Sequence, residues 1–350
     1  MGSKKKIIGN AFFLAVIFAL TIYGVFHGED LGAMREAIRE ADKKWLIPGV
    51  ALVLFFIWGE SVILWYMMRS FGIRLKRRVC FLFSSVGFFF SCVTPSATGG
   101  QPMQIYFMKK EKIPIPVATV ILMIVTITYK LVLVVIGAGV WLFGQGFMDR
   151  YLGEILPLFY LGLALNVFCV GFMTALVFHP ALAEFILTKG MAWLERRRFL
   201  RHKEERCRKL GASMQVYRET AAYLKTHGKM LVMAALISFV QRMALFLVTW
   251  TVYLAFGLSG TGIWDVVFLQ AVISVSVDML PLPGGMGISE ALFLRIFPQV
   301  FGAALLPAMV LSRGLGYYSQ LLISALFTVV AQVYYLCRKR SCEKKQGALG

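Results

Sequence analysis

Long apolar stretches alternate along the chain with short segments that carry most of its charge. The apolar stretches fall at residues 7 to 27, 45 to 68, 79 to 93, 114 to 143, 155 to 178, 229 to 257, 265 to 280 and 303 to 336. Several exceed the roughly 20 residues that a bilayer-crossing helix requires. No small-residue cleavage pattern follows the first, so it is expected to stay as an anchor and not to be removed as a signal peptide. The opening "MGSKKK" has the look of a myristoylation start, but Lys6 stands where serine or threonine belongs.

Two regions are interrupted. "TPSATGGQP", Thr94 to Pro102, breaks residues 79 to 108 near their middle, and "PLPGGMG", Pro281 to Gly287, does the same to residues 265 to 300. Such breaks release backbone groups that hydrocarbon cannot satisfy. They are tolerated only where protein buries them or where they line a cavity.

The basic residues decide how these stretches cross. Lysines and arginines number 3 before the first span, 4 in 28 to 44, 5 in 69 to 78, 3 in 109 to 112, 1 in 144 to 154, 12 in 179 to 229, none in 258 to 264 and 5 after 336. The positive-inside rule places the rich connections in the cytoplasm. Residues 28 to 44 also hold five acidic residues and read as an amphipathic surface helix, which the outside tolerates. Both ends of 79 to 108 then belong inside, so that segment enters and returns. Carrying the count forward leaves 265 to 300 to enter from outside and return there.

The pattern predicts an all-α integral membrane protein. It is a polytopic helical bundle with two re-entrant helical hairpins in an inverted-topology repeat. Residues 1 to 350 read as a single transmembrane domain, with repeat one at about 45–143, repeat two at about 229–336 and a basic cytoplasmic connection at 179–229. Both termini are expected in the cytoplasm. The plainer alternative is two ordinary spans kinked by proline. Inverted repeats place substrate sites near the midplane, between broken helices, and alternate access by rocking around that site.

Composition agrees. Hydrophobic residues make up 59% and charged residues 16%, with a mean hydropathy of +0.72, which excludes an ordinary soluble domain. The net charge of +19 could suggest nucleic acid. The basic residues, however, lie beside apolar spans, as in "ERRRFLRHKEERCRKL", and read as a helix face on anionic lipid. The six cysteines lack metal-ligand spacing and are expected as free thiols. His27, His179, His202 and His227 are scattered as well, so neither a metal site nor a cofactor is expected.

A half-helix start, with freed N–H groups and a favourable dipole, makes an anion site. Phosphate is the obvious guest. The first break offers Thr94, Pro95, Ser96, Thr98, Gly99, Gly100 and Gln101; the second offers Pro283, Gly284, Gly285 and Gly287, with Ser289 and Glu290 opening the returning helix. The glycines could serve only to turn the chain, but two such motifs in matching places favour a site. Ionisable residues inside apolar segments are functional hypotheses by default. Here they are Glu60, Lys130, Arg242, Asp278, Glu290, Arg295 and Arg313. Arg313 is the expected partner of Asp278 or Glu290, Lys130 is expected to meet phosphate or Glu60, and Arg295 to snorkel outward.

At these residues the chain resembles the lysylphosphatidylglycerol synthase transmembrane family, the flippase-like part of the multiple peptide resistance factor and its free-standing relatives. "TPSATGGQPMQIYFMKK" is similar to the family's first signature, "LPLPGGMGISEALF" to its second, and "SRGLGYYSQLL" to a later arginine and aromatic motif. Many relatives carry an acidic residue and an arginine where this chain has Gln101 and Gln104. The resemblance implies a translocase moving a phospholipid, or an aminoacyl-phospholipid such as lysyl-phosphatidylglycerol, between leaflets of the bacterial cytoplasmic membrane, a role tied to antimicrobial peptide resistance. Only "CRKRSCEKKQGALG" follows the last span, so the acyltransferase domain of the full-length enzymes is expected to be absent. The rival expectation is the membrane part of a phosphatidylglycerol lysyltransferase, or a partner subunit for a separate synthase. Membrane phospholipid is the expected partner, with homo-oligomers possible and nucleic acid excluded.

Overall fold

The computed structural model describes residues 31–196 and 203–347. The first apolar stretch, 7 to 27, lies outside the described residues, as do the side chains of Ser96 and Pro283. Helices joined by turns and loops make up the described residues, without strands. An amphipathic helix α1 (Leu31–Glu40) precedes α2 (Leu46–Ser70). The first interrupted segment folds as α3 (Arg77–Val93) and α4 (Gly100–Lys110). Next come α5 (Ile115–Phe143), short α6 (Gln145–Tyr151), α7 (Leu156–Phe178), α8 (Pro180–Arg196), α9 (Lys203–Thr226) and α10 (Gly228–Ala255). The second interrupted segment folds as α11 (Ile263–Val277) and α12 (Ile288–Ile296). One turn, α13 (Pro298–Phe301), leads into α14 (Leu305–Arg313), a π-helical turn at Gly314–Tyr318 and α15 (Ser319–Gly347).

Five helical stretches are long and apolar enough to cross a membrane: Lys43–Ser70, Ile115–Phe143, Gly153–Phe178, Gly228–Ala255 and Pro298–Arg338. The chain is therefore a multi-pass membrane protein of the all-α class. The pieces of the interrupted segments are shorter. At 1.5 Å per residue, α4 reaches about 16 Å, α11 about 22 Å and α12 about 14 Å, less than the roughly 30 Å hydrocarbon core. In each segment the two pieces pack against one another about the break.

Packing relates the two halves. The first hairpin, α3–α4, lies on α2 and on α15; the second, α11–α12, lies on α10 and on α5. Helix α10 contacts α5, α2 contacts α15, and α2 and α10 pack on each other. Exchanging the halves leaves this contact pattern unchanged. The two breaks touch at the centre.

The chain's second break is further held by α7. Asn166 donates from Nδ2 to Gly162 O at 2.9 Å and to Val275 O at 3.2 Å, joining α7 to the last turn of α11. Close approach requires Gly162, where a Cβ would lie 2.6 Å from Ser276 Cα. Gly162→Ala is expected to lose about 1–3 kcal/mol through overpacking. Gly171→Ala, on the same helix with open space around it, is expected to be near neutral. Thermal unfolding of both variants in detergent checks this.

The basic connection is more than a solvated face. Helix α9 packs on α5 and α7; Tyr217 Oη donates to Leu176 O of α7 at 3.1 Å, and Tyr223 Oη donates to Ser70 O at the end of α2 at 2.8 Å. Arg218 pairs with Glu184 of α8. Cys80, Cys92, Cys169 and Cys337 are free thiols.

Candidate functional site

The touching breaks and the long helices around them line a cavity of about 630 Å³. That volume lies within the range of small-molecule sites. Its wall draws on both halves: Glu60 from α2, Thr98 and Gln101 from the first break, Lys130 from α5, Arg242 from α10, Asp278, Gly284 and Gly285 from the second break, and Arg313 at the end of α14.

Two ion-pair clusters organise the wall. Lys130 Nζ lies 2.5 Å from Asp278 Oδ2, and Arg242 Nη2 lies 3.4 Å from Asp278 Oδ1. The Arg242 guanidinium also stacks on Tyr129 at 3.3 Å from the ring centroid, and its Nε has no hydrogen-bond partner. One carboxylate thus serves two cations, leaving this side of the cavity with a surplus positive charge. Charge inside a membrane protein is costly unless paired, which explains why Asp278 sits where both cations reach it.

The second cluster locks the break itself. Arg313 Nε donates to Glu290 Oε1 at 2.7 Å and Nη2 donates to Gly284 O at 3.0 Å. Glu290 Oε2 accepts from Gly287 N at 2.7 Å, capping α12 from within its first turn. The π turn after Arg313 sets Tyr317 beneath it, 4.9 Å from the guanidinium. Tyr317 Oη donates to Cys92 O at 2.9 Å, at the end of α3. A single helical turn therefore holds both breaks.

Glu60 stands apart from these cations. Its Oε1 accepts from Gln104 Nε2 at 2.6 Å, and among the described residues no ion pair involves it. Gln104 reaches across α3 because Gly87 has no Cβ; one there would lie 2.5 Å from Gln104 Cδ. Gln101 Nε2 in turn bonds Thr126 Oγ1 at 2.5 Å, tying α4 to α5.

The expected pairing of Lys130 with Glu60 does not form. Lys130 lies on α5, which packs against α11 and so meets Asp278, whereas Glu60 faces Gln104 through the Gly87 gap. Arg313 takes Glu290 and not Asp278. Arg295 is exposed, as a snorkelling residue should be.

Of the other sequence candidates, Thr94, Pro95, Gly99, Gly100, Gly287 and Glu290 are absent from the cavity lining. Thr94 Oγ1 donates to Phe90 O at 2.6 Å and accepts from Gly99 N at 2.9 Å, which closes the first break on itself. A Cβ on Gly100 would lie 2.8 Å from Gly87 O, so this glycine serves the packing of α4 on α3. The Gly287 amide is taken by Glu290.

Sequence reading missed several uncharged lining residues: Tyr129, Gln241, Thr249, Gln270, Ser312 and Gln320. Thr249 bonds both Gln270, at 3.0 Å, and Ser312, at 2.9 Å. The available signal was glutamine inside apolar helices, as at Gln241 and Gln270.

No curated protein matches the chain. A family model does, over residues 7–324, and that range takes in both breaks, all three cavity cations and Tyr317. The chain belongs to the family described as the lysylphosphatidylglycerol synthase TM region.

Proposed function

We propose that the chain moves a phospholipid or aminoacyl-phospholipid, of the lysyl-phosphatidylglycerol kind, between leaflets of a bacterial cytoplasmic membrane. The observation that carries this reading is the cavity walled by both helix breaks, with two cations sharing one carboxylate. A phosphate supplies the missing negative charge at Lys130 and Arg242, and the unpartnered Arg242 Nε adds a donor beside it. The Glu60 carboxylate, free of cations, suits an ammonium on the same headgroup. The tails stay in lipid while the head crosses.

Matching positions in the two halves support an inverted repeat around this site. Glu60 and Arg242 each stand fourteen residues after the first residue of α2 and α10, Leu46 and Gly228. In this reading both termini are cytoplasmic, the first hairpin enters from inside and the second from outside. Rocking of the halves opens the cavity to each side in turn.

The test is leaflet exchange of labelled phosphatidylglycerol and lysyl-phosphatidylglycerol in liposomes holding the purified chain. Lys130→Met is expected to slow exchange at least about tenfold, because a hydrogen bond to a charged group is worth about 1.5–3 kcal/mol and each ~1.4 kcal/mol is a factor of ten. Its unfolding temperature should stay close to the parent's, because Arg242 still meets Asp278. The family's description favours a second reading, the membrane part or partner subunit of a lysyltransferase. Formation of lysyl-phosphatidylglycerol from lysyl-tRNA by a separate soluble lysyltransferase only when the chain is present, without leaflet exchange, would replace the first reading with this one.

A further inference from the structure

A second depression lies on the other side of the α2–α10 seam. It measures about 300 Å³ and is lined by Phe55, Trp58 and Val62 of α2 and by Leu236 and Val240 of α10, with Gln241 at its floor. Trp58 and Val240 each stand twelve residues into helices of 25 and 28 residues. The groove therefore opens near the middle of two membrane-crossing helices, where hydrocarbon is the surrounding medium.

Gln241 also lines the polar cavity. Its side chain lies across the seam because Gly59 leaves room; a Cβ there would be 3.0 Å from Gln241 Cγ. Gln241 Nε2 donates to Phe56 O at 2.8 Å, and Phe56 too faces the cavity. The residues next in sequence, Glu60 and Arg242, are cavity charges. The polar cavity and the apolar depression thus share one glutamine side chain in their walls.

We infer that this groove seats an acyl tail of the lipid whose headgroup occupies the cavity, with Gln241, which lines both, at the boundary where head and tail join. The inference rests on the translocation reading and names its second subsite. Apart from Gln241 and the Trp58 indole N–H, the lining side chains carry no polar group, and an acyl chain needs nothing more than apolar surface. A tail held here keeps the lipid beside the cavity while its head crosses.

The test uses phosphatidylcholine liposomes doped with phosphatidylglycerol bearing a diazirine in one tail. Labelling of peptides containing Trp58 and Val240 is expected to saturate at low mole fraction of probe. Labelling around Val333 of α15, which like Val240 is 53% exposed, should rise in simple proportion. Val240→Trp should cut groove labelling and leaflet exchange several-fold, while Val333→Trp changes neither. Proportional labelling of both faces, or chain-to-chain adducts through the groove, overturns the tail seat. If the parent exchanges lipid yet the groove does not saturate, the tail seat alone falls. If the groove saturates yet the parent exchanges no lipid, translocation falls and the tail seat stands.

Discussion

Replacing Arg313 with alanine is expected to abolish leaflet exchange and to cost about 3–5 kcal/mol of stability, the usual penalty for leaving one member of a buried ion pair alone. Glu290 is buried, with its side chain 7% exposed, and Arg313 is the cation it meets. The same guanidinium holds Gly284 O. Removing it frees the second break as well as stranding a carboxylate. Adding Glu290→Gln should recover part of the stability, since a neutral amide needs no counter-charge, and should leave exchange lost. Unfolding in detergent and exchange in liposomes, measured on both variants, separate the two effects. An Arg313→Ala protein as stable and active as the parent would remove the latch from the account.

The second large effect is expected at Gly284. Its φ of +57° lies in the left-handed region, and a Cβ there would sit 2.6 Å from Tyr317 Cζ. Gly257 offers an internal comparison, with φ of +64° and nothing within 4 Å. Alanine at Gly257 should cost only the backbone term, about 1–2 kcal/mol. Alanine at Gly284 should cost clearly more, because it also displaces the ring whose hydroxyl reaches Cys92 O. Exchange should fall by more than tenfold at Gly284 and stay near parental at Gly257. Equal destabilisation of the two variants would mean that the contact with Tyr317 carries no weight.

The helices were legible because hydropathy and length are properties of contiguous sequence. The stretches 45 to 68, 114 to 143, 155 to 178, 229 to 257 and 303 to 336 correspond to the five apolar helical stretches. The breaks were legible because proline and glycine cannot be hidden in an apolar run. Side-chain partners were not. Whether Lys130 meets Glu60 or Asp278 depends on which helix α5 packs against and how it is rotated, and hydropathy carries neither. Tyr317 was inside a quoted motif, yet its role depends on a π turn that brings it under Arg313 and beside both breaks. Gly99 and Gly100 do not line the cavity; the Gly99 amide bonds Thr94 Oγ1, and Gly100 lets α4 approach α3. A glycine's missing side chain does not reveal what occupies the space.

These particulars narrow the mechanism. The cations that suit a phosphate come from α5 and α10, and the half-helix start at Gly287 is already capped by Glu290. In the translocation reading, side chains on the long spans hold the headgroup, while the two breaks shape the passage and are latched together by Arg313 and Tyr317. Rocking must then stretch or break that latch, so its strength should set the exchange rate as well as stability.

The most direct test of opposed hairpins is the sidedness of their ends. Single cysteines at Lys76, Lys112, Ser259 and Gln299, all exposed, go into a variant whose six native cysteines are serine, and a membrane-impermeant thiol reagent is applied to intact cells. Ser259→Cys and Gln299→Cys are expected to react from outside, while Lys76→Cys and Lys112→Cys are expected to react only after the membrane is opened. Labelling that places the two ends of either interrupted segment on opposite faces would contradict the opposed arrangement.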